Sequence, residues 1–469
     1  MANQAWFAHN QSGCCRAGLV ARRGMEREFM FEAVAASLSS LTAEFWYALP
    51  IGLVGLISWS VWLGRWSASR FYRPLVNQYR TTTSLVVPSY REDPDVLVRC
   101  LETWLNEAPD EIILVVDIDD TEVLARLRSY SENPCIRVLP FKHHGKRSAL
   151  GVGIRAARYE VIVLSDSDTA WEPGLLAAVQ MPFVDPAVGG VGTRQNASER
   201  QSSIWRVVAD WMLNIRYLDY VPAQSMAGGV ACLSGRTVAY RRSAILPVVD
   251  QLEHEYFLGR LCVAGDDGRL TWLVLSQRYT TVYQSSAQAW SMFPCTLRAF
   301  VKQRVRWSRN SYRCYLTAIH HGWLWRQPLI TQITVLQILL TPLSMGFALS
   351  YLAMAALRGN LMVVIIGVIW VFVGRAIRGI SHLREHPGDV RVLPMLALIT
   401  IYISLPVKAW AFVTMNTQGW LTRQSNQIGG EGQTEASLNS QTTAFPQREL
   451  EMVEPLRERS VGMSEESMS

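Results

Sequence analysis

Long apolar stretches alternate with polar ones along the chain and divide it into membrane and soluble parts. Residues 45–64 run for about twenty positions without a charge, which matches the thickness of a bilayer core. We therefore predict a transmembrane helix there, after a poorly ordered leader at 1–44. Arginines follow this stretch closely, so the positive-inside bias predicts that the next part of the chain is cytoplasmic. These arginines are Arg65, Arg70, Arg73 and Arg80.

The segment 82–295 has the pattern of a soluble α/β domain. Short runs rich in Val and Ile end in polar residues, and helical patterns lie between them. This alternation predicts a mostly parallel sheet with helices on both faces. Ligands of such sheets bind beyond the carboxyl ends of the strands, which is where Tyr90, Asp117 and Asp166 fall. The apolar runs are "TSLVVPSY", "EIILVVDID" and "YEVIVLSDSD".

Two mixed segments, 201–222 and 296–327, combine aromatic and aliphatic residues with arginine. The pattern predicts amphipathic helices in the membrane interface, or else ordinary surface helices packed on the domain. Three apolar runs follow in a region that extends over 328–423, with an arginine-rich loop before the last run that is expected to be cytoplasmic. That last run contains Pro406 and Lys408, so it is expected either to cross the membrane or to kink and re-enter. The three runs are 330–356, 361–374 and 392–415.

Composition strengthens the membrane interpretation. The chain of 469 residues is 49% hydrophobic and only 18% charged, and it holds 17 Trp. Its net charge of +6, with basic residues beside the apolar runs, indicates anionic lipid rather than nucleic acid as a partner. Eight Cys without a CxxC pattern argue against a disulfide framework and a structural zinc site. The tail 424–469 is rich in Gln, Ser and Glu and is expected to be disordered.

Two pairs of aspartates carry the first candidate chemistry. Asp166 and Asp168 follow an apolar run and project to the same side of an extended segment. They are therefore candidate ligands of a hard divalent cation, Mg²⁺ or Mn²⁺. Asp266 and Asp267 stand between two glycines. They can cap a helix, or one of them can act as a general base that accepts a proton from an attacking hydroxyl.

Two basic stretches are candidates for binding phosphate. In "HHGKRSAL", Lys146 and Arg147 follow a glycine and can neutralise a diphosphate, although cations in loops are often only solvated. In "KQRVRWSRNSYR", Gln303, Arg306 and Trp307 lie at i, i+3 and i+4 and share one helical face. An amide, a guanidinium and an indole on one face suit a site for both a phosphate and a sugar ring. A lipid-headgroup belt would explain the arginine and the tryptophan but not the glutamine.

Taken in order, these motifs resemble those of the membrane-integrated processive glycosyltransferases of family 2. The resemblance is specifically to the hyaluronan synthase-like branch, with its chitin and cellulose synthase relatives, and it covers residues 86–423. "QRVRW" matches the Gln-(Gln/Arg)-x-Arg-Trp pattern of processive members, whereas "GDDG", "WLTR" and "SGRT" depart from the usual Gly-Asp-Asp-Arg, Trp-Gly-Thr-Arg and Ser-Gly-Pro-Leu. The matching stretches are "VVPSYRE", "VVDIDD", "HHGKRSAL", "LSDSDT", "VGGVGTRQN", "CLSGRTVAYRRS", "GDDGRLT", "QRVRW" and "GWLTR".

The resemblance implies an α/β fold of the GT-A (Rossmann-like) type, as a cytoplasmic catalytic domain inserted between transmembrane helices. It implies that Asp267 is the general base with Asp266 as its neighbour, and that Asp168 and Asp166 bind the metal. Ser234 and Gly235 would border the acceptor pocket with Trp307. The nucleotide-sugar would be held by Tyr90, Glu92, Asp117, Lys146, Asp166, Gln303, Arg304, Arg306 and Trp307, and Trp420, Thr422 and Arg423 would belong to a gating segment.

We therefore interpret the chain as an inverting hexosyltransferase in the plasma membrane. It would polymerise a UDP-sugar onto a growing polysaccharide and export the product through its own membrane region. One alternative is a non-processive family 2 transferase that adds single sugars to a lipid or glycan, and another is a non-catalytic membrane scaffold. The sequence leaves open which sugar or sugar pair is used and whether the chain forms a homo-oligomer.

Overall fold

A computed structural model of the protein describes residues 52–142 and 144–417. Its centre is an eight-stranded mixed sheet with the order β3-β2-β1-β4-β7-β6-β10-β5, and β8 and β9 form a separate two-stranded hairpin. The strands are β1 (Thr83–Ser89), β2 (Glu111–Asp117), β3 (Ile136–Phe141), β4 (Val161–Ser165), β5 (Thr169–Trp171), β6 (Val188–Ala197), β7 (Thr237–Arg241), β8 (Tyr256–Phe257), β9 (Arg260–Leu261) and β10 (Thr280–Ser291).

Helices connect the strands and follow them. A π-helical turn, Ile215–Tyr220, joins α6 to α7, and a second one, Ile399–Ser404, joins α15 to α16. The α-helices are α1 (Gly52–Ser69), α2 (Pro94–Leu105), α3 (Thr121–Leu127), α4 (Lys146–Ala156), α5 (Leu175–Gln180), α6 (Ile204–Asn214), α7 (Val221–Ser225), α8 (Arg242–Ile245), α9 (Val249–Glu253), α10 (Asp266–Ser276), α11 (Leu297–His320), α12 (Leu329–Leu357), α13 (Leu361–Arg378), α14 (Ile380–Glu385), α15 (Leu393–Leu398) and α16 (Leu405–Val413).

The central strands are apolar on both faces because each face is covered by helices. In β1, Leu85 and Val87 belong to one hydrophobic core, whereas Val86 belongs to the core on the other side of the sheet. Trp104 of α2 packs in the first core and Ile154 of α4 in the second. Each fully buried aliphatic side chain contributes about 1.5–3 kcal/mol, so this two-sided burial stabilises the strands. The predicted α/β architecture with helices on both faces is confirmed.

The carboxyl ends of three neighbouring strands meet at one edge of the sheet. β1 pairs in parallel with both β2 and β4, and β2 pairs in parallel with β3. The sheet becomes mixed beyond β4, because β7 lies between β4 and β6 and runs antiparallel to both. The side chains that follow β1, β2 and β4 therefore face a common edge, as the sequence predicted.

Three helical segments after the sheet are long and apolar enough to cross a membrane: Leu329–Leu357, Leu361–Arg378 and Pro387–Val413. None of the side chains of α13 is buried within the described protein. An apolar surface of that extent is unfavourable in water, and a lipid environment accommodates it. The predicted N-terminal span, 45–64, lies partly outside the described residues, and its described part forms the start of α1; that it crosses the membrane stays a prediction.

Two parts of the last apolar segment, Pro387–Val413, contact α11. In its middle, Ile399 packs in one cluster with Phe300 of α11. Near its end, the rings of Phe412 and Tyr312 of α11 meet edge to face at 5.5 Å. A π-helical turn lies directly before the helix that contains Pro406. The segment is long and apolar enough to cross a membrane, and the choice between a full crossing and a kink with re-entry stays a prediction.

The two mixed segments are helical, as predicted. The first forms α6, the π-helical turn and α7, and the second forms α11. Thr296 caps α11 by accepting a hydrogen bond from the backbone N–H of Ala299, which satisfies a donor that the first helical turn leaves free. Whether these helices lie in the membrane interface stays a prediction.

Candidate active site

Lys146 joins two carboxylates that are far apart in the chain. Its ammonium lies 2.7 Å from Asp166 Oδ1 and 2.9 Å from Asp266 Oδ2. The lysine begins α4, Asp166 follows β4, and Asp266 begins α10. These ion pairs raise the pKa of Lys146 even though its burial acts in the opposite direction. A fixed positive charge therefore links the two acidic motifs that the sequence singled out.

Asp266 and Asp267 differ in their surroundings although they are adjacent. Burial acts to raise the pKa of Asp266, but the Lys146 ammonium outweighs it and holds the pKa below its ordinary value. Burial and the neighbouring charge of Asp266 raise the pKa of Asp267. Asp267 Oδ1 accepts a hydrogen bond from the backbone N–H of Gly268 at 2.8 Å. The pair thus divides into a carboxylate that is held ionised and one with raised proton affinity, as suits a general base.

Backbone geometry explains why these two aspartates begin a helix. Gly265 precedes them with φ at +84°, a left-handed conformation that glycine adopts without strain. Arg147 donates a hydrogen bond to the Gly265 carbonyl oxygen at 3.0 Å and pairs with Glu255 at 2.7 Å. The expectation that Arg147 neutralises a diphosphate is therefore not supported, because its guanidinium is already engaged in holding this turn.

Asp166 and Asp168 follow β4 and fit the ligand set of a divalent cation. Burial and the charge of Asp166 raise the pKa of Asp168 to about 6, so a cation placed between the two carboxylates would relieve their repulsion. Across the described ranges, no group of three or more His, Cys, Asp or Glu side chains could hold a metal. Two carboxylates nevertheless suffice for Mg²⁺ or Mn²⁺ when substrate phosphates complete the coordination.

Glu92 supports the acidic turn from the neighbouring strand. It is 6% exposed, and its Oε2 accepts a hydrogen bond from the Ser167 hydroxyl at 2.5 Å. Ser167 stands between the two candidate metal ligands, so this contact fixes the turn that carries them. Glu92 thus supports the turn that carries Asp166 and Asp168, and the contact with the nucleotide that the sequence resemblance implied stays a prediction.

Arg236 belongs to the site and was missed by the sequence analysis. Its carbonyl oxygen accepts a hydrogen bond from the backbone N–H of Asp166 at 3.0 Å. Its guanidinium lies 3.9 Å from the ring centroid of Phe293 and 5.5 Å from that of Trp307. Burial lowers the pKa of Arg236, and the charges of Asp168 and Asp166 act in the opposite direction. The signal was present in "SGRT", where arginine replaces the usual proline, but only the sheet pairing brings it beside β4.

The face of α11 that the sequence predicted points toward the same site. Arg304 lies 5.0 Å from the Trp307 ring centroid, and Arg306 acts electrostatically on Arg236. Burial and the charge of Arg236 lower the pKa of Arg304 to about 10. Within the described chain, Nε and Nη2 of Arg304 and Oε1 of Gln303 are buried and have no hydrogen-bond partner. Such clustered cations with free donors form a site for an anion.

Two close contacts hold α11 against the start of α10. A Cβ atom at Gly265 would lie 2.9 Å from the side chain of Asn310, and one at Gly268 would lie 3.1 Å from Cys314 Sγ. Only glycines permit this approach of α11 to the two aspartates. The helix that carries Trp307 is therefore packed directly on the segment that carries Asp267.

The remaining candidates lie around this centre. A Cβ atom at Gly235 would lie 3.2 Å from Asp266 Oδ2, 3.3 Å from Asp267 Cβ and 3.7 Å from Lys146 Nζ, so Gly235 borders the base directly. Ser234 lies beside Tyr217 of the first π-helical turn. Tyr90 follows β1 and Asp117 ends β2, and both share the edge of the sheet with Asp166. The predicted gating residues Trp420, Thr422 and Arg423 lie outside the described residues.

Comparison with known proteins agrees with the fold and with the motifs. Residues 80–310 match the model of a family described as "Glycosyltransferase like family 2". A mannosyltransferase from Pyrobaculum calidifontis, solved in complex with GDP-Man and Mn²⁺, superposes with a TM-score of 0.54 at 18% identity. The match covers 76% of this chain and 94% of that one. At this identity the likeness shows the fold, and the GT-A expectation is confirmed.

Two kinds of curated relatives are similar over most of their length. An N-acetylglucosaminyltransferase from Sinorhizobium fredii is 28% identical over 358 residues, which cover 73% of this chain and 84% of the relative. A hyaluronan synthase from Streptococcus pyogenes is 24% identical over 384 residues, which cover 80% of this chain and 91% of the relative. Both groups of relatives carry the names of enzymes, so the interpretation as a non-catalytic scaffold loses its support.

Proposed function

Because residues 80–310 form a family 2 glycosyltransferase domain, we propose that the chain is an inverting, processive polysaccharide synthase. In this proposal it transfers a sugar from a UDP-sugar to a growing chain and exports the product through its membrane region. The observation that carries the proposal is the Lys146 bridge between Asp166 and Asp266. It unites the donor carboxylates and the base Asp267 in one site.

The proposed reaction is a single displacement at the anomeric carbon. Asp267 accepts the proton of the acceptor hydroxyl while that oxygen attacks, and the bond from the anomeric carbon to the diphosphate oxygen breaks. Its raised pKa improves its strength as a base, and the hydrogen bond from the Gly268 N–H orients it. Asp266 stays ionised beside Lys146 and acts through the position and the charge of that lysine.

Charge on the departing diphosphate is stabilised by fixed cations. Lys146 lies within the bridge, and Arg236, Arg304 and Arg306 form a cluster in which Arg304 has free donors. Preorganised charges of this kind act most strongly on charge that develops during the reaction. A Mg²⁺ or Mn²⁺ ion at Asp166 and Asp168 would supply Lewis-acid stabilisation to the same phosphates; the mannosyltransferase with the similar fold was solved with Mn²⁺.

Processivity is supported by the features around the acceptor. Trp307 presents a half-buried indole beside Arg236 and Arg304, on which a sugar ring can stack. Gly235 lies directly beside the base, where a larger side chain would press against Asp266 and Asp267. The apolar helices α12 and α13 follow on the same chain. One of the two groups of relatives carries the name hyaluronan synthase, a polymer-forming activity.

Membrane vesicles that contain the protein provide the direct test. They are incubated with Mn²⁺ and with UDP-sugars, singly and in pairs, and UDP-N-acetylglucosamine is tried first because it carries the sugar in the name of the rhizobial relatives. Products are sized on gels and digested with specific hydrolases, with heat-inactivated vesicles as the control. The proposal expects long polymer inside inverted vesicles. Short, discrete products attached to lipid would instead establish the non-processive alternative.

Activity is expected to fall on the acid side at a higher pH than the ordinary pKa of aspartate would give. Asp267 must be ionised to accept a proton, and burial raises its pKa, so protonation removes the base before pH reaches 3.8. Saturating Mn²⁺ keeps Asp168 ionised, so the loss of activity that remains at low pH reports the protonation of Asp267. Single-turnover transfer measured between pH 4 and pH 8, about the range in which such a carboxyl titrates, checks this. UDP binding over the same pH range is the control. If activity is lost only at or below pH 3.8, the ordinary pKa of aspartate, the assignment of Asp267 as the base is contradicted.

A further inference from the structure

Four cations gather where the membrane segments meet the catalytic domain. They are Arg65 near the end of α1, Arg375 and Arg378 near the end of α13, and Lys408 in α16. Arg378 acts electrostatically on both Arg65 and Arg375, and Arg375 acts on Lys408. This group, here called the membrane-side cation cluster, is assembled from three segments that are far apart in the chain.

Neutral side chains hold the cluster in place. Arg65 Nη1 donates a hydrogen bond to Gln337 Oε1 of α12 at 2.6 Å, and its guanidinium lies 5.1 Å from the ring centroid of Tyr220. Arg378 Nη2 donates to Ser58 Oγ at 2.9 Å, and its guanidinium lies 4.7 Å from the Trp59 ring. These contacts fix the positions of the guanidinium groups but do not neutralise them.

The cluster has no carboxylate partner among the described residues, and its members are buried to different degrees: Arg65 is buried, whereas Arg375, Arg378 and Lys408 are half-buried. Arg65 is 4% exposed, and its Nε and Nη2, like Nε of Arg378, have no hydrogen-bond partner among the described residues. The groups that act on these cations are one another and the Tyr220 hydroxyl. Buried charges are normally paired, because an isolated ion loses its hydration without compensation. An anion from outside the described chain would supply the missing pairing.

Two arginines outside the cluster, Arg70 and Arg194, each pair with a carboxylate. Arg70, five residues after Arg65, pairs with Asp219 at 3.7 Å. Arg194 pairs with Glu385 at 2.9 Å. The fold thus places carboxylates beside these arginines, whereas no carboxylate of residues 52–142 or 144–417 pairs with the membrane-side cation cluster. The contrast indicates a binding site rather than a general excess of basic residues.

We propose that the membrane-side cation cluster binds the phosphate of one anionic phospholipid in the leaflet next to the catalytic domain. The cluster is flanked by Trp59 and Trp370, whose rings meet at 5.6 Å, and indoles of this kind are typical of the headgroup level. The apolar side chains of α13 above it are unburied and suit acyl chains. Basic pockets between membrane helices on the cytoplasmic side bind acidic headgroups in this way.

The test is lipid retention by the full-length protein. Protein is assembled in phosphatidylcholine nanodiscs with and without phosphatidylglycerol, without UDP-sugar, and the retained lipid is identified by native mass spectrometry. The wild type is expected to retain one phosphatidylglycerol selectively. Arg65→Gln is expected to weaken that retention about fivefold, and Arg375→Gln combined with Arg378→Gln about 25-fold, at about fivefold for each charge removed near the phosphate.

Two control variants make the result specific. Arg65→Lys keeps the charge and should keep the selectivity, which separates charge from misfolding. Arg73→Gln removes an exposed arginine just after α1 and should leave retention unchanged. Equal retention by Arg65→Gln and the wild type would overturn the proposal, as would an equal loss in Arg73→Gln. A third result would also overturn the proposal: the wild type shows no lipid selectivity, and the variants lose bound polymer after synthesis. In that case the anion bound by the cluster would belong to the polymer product.

Discussion

Asp267→Asn should reduce sugar transfer about 100- to 10,000-fold, because an amide cannot accept the acceptor's proton and general base catalysis contributes about 10²–10⁴-fold. UDP binding should change little, since the contacts to the cations run through Asp266 and Asp166 rather than through Asp267. The side chain of asparagine can still accept the hydrogen bond from the Gly268 N–H, so the turn should persist. Radiolabelled sugar incorporation and calorimetric titration with UDP measure the two quantities.

The control for this variant is a carboxylate on the protein surface. Asp250 is 82% exposed at its side chain and pairs only with the partly exposed Arg155 among the described ion pairs. Asp250→Asn should therefore leave incorporation and UDP binding at wild-type values. Unchanged incorporation in Asp267→Asn would remove it from the role of base, and a parallel loss of UDP binding would show that it acts by holding the donor.

Lys146→Met should weaken UDP binding about 100-fold and lower the free energy of unfolding by about 3 kcal/mol. The substitution leaves Asp166 and Asp266 facing each other without the ammonium that lies within 2.9 Å of both. Removing one member of a buried ion pair costs about 3–5 kcal/mol, and each 1.4 kcal/mol corresponds to a tenfold change in affinity. We take the lower end because the Asp166 side chain is 28% exposed.

Lys142→Met is the matched control for this second variant. Lys142 lies four residues earlier and is exposed, so its loss removes the same charge without disturbing the bridge. UDP affinity by calorimetry and the melting temperature by differential scanning report the two effects. If both variants behave alike, the bridge is not what positions the donor. If Lys146→Met lowers stability but not affinity, Lys146 serves the fold alone.

The sequence predicted the edge of the sheet on which the site is built. Tyr90 follows β1, Asp117 ends β2 and Asp166 follows β4. Their alignment was predictable because apolar runs that end in polar residues mark parallel strand ends. The face of α11 was predictable for a similar reason, since the spacing of Gln303, Arg306 and Trp307 fixes a common direction on any helix. Both the edge of the sheet and the face of α11 were therefore predicted from local periodicity.

Periodicity could not predict which residues enter the site through contacts between segments that are far apart in the chain. Arg236 enters the site only because β7 inserts beside β4, and no local pattern encodes that neighbour. Lys146 and Arg147 are adjacent basic residues, and the sequence made both equally good candidates for binding phosphate. In the structure Lys146 pairs with Asp166 and Asp266, whereas Arg147 pairs with Glu255. The contacts of the last apolar run with α11 were likewise not predictable, because hydropathy does not specify which helix an apolar run packs against.

The packing of α11 on the two glycines that flank Asp266 and Asp267 also limits how this chain can diverge. Trp307, Asn310 and Cys314 occupy one stripe of the helix, and one inserted residue would turn everything beyond it by about 100°. We expect homologous chains to exchange lipid-facing side chains and to lengthen loops freely, while insertions and deletions stay absent between the indole and the cysteine. Evolution would then conserve the number of residues between Trp307 and Cys314 more strictly than the identity of the residues between them.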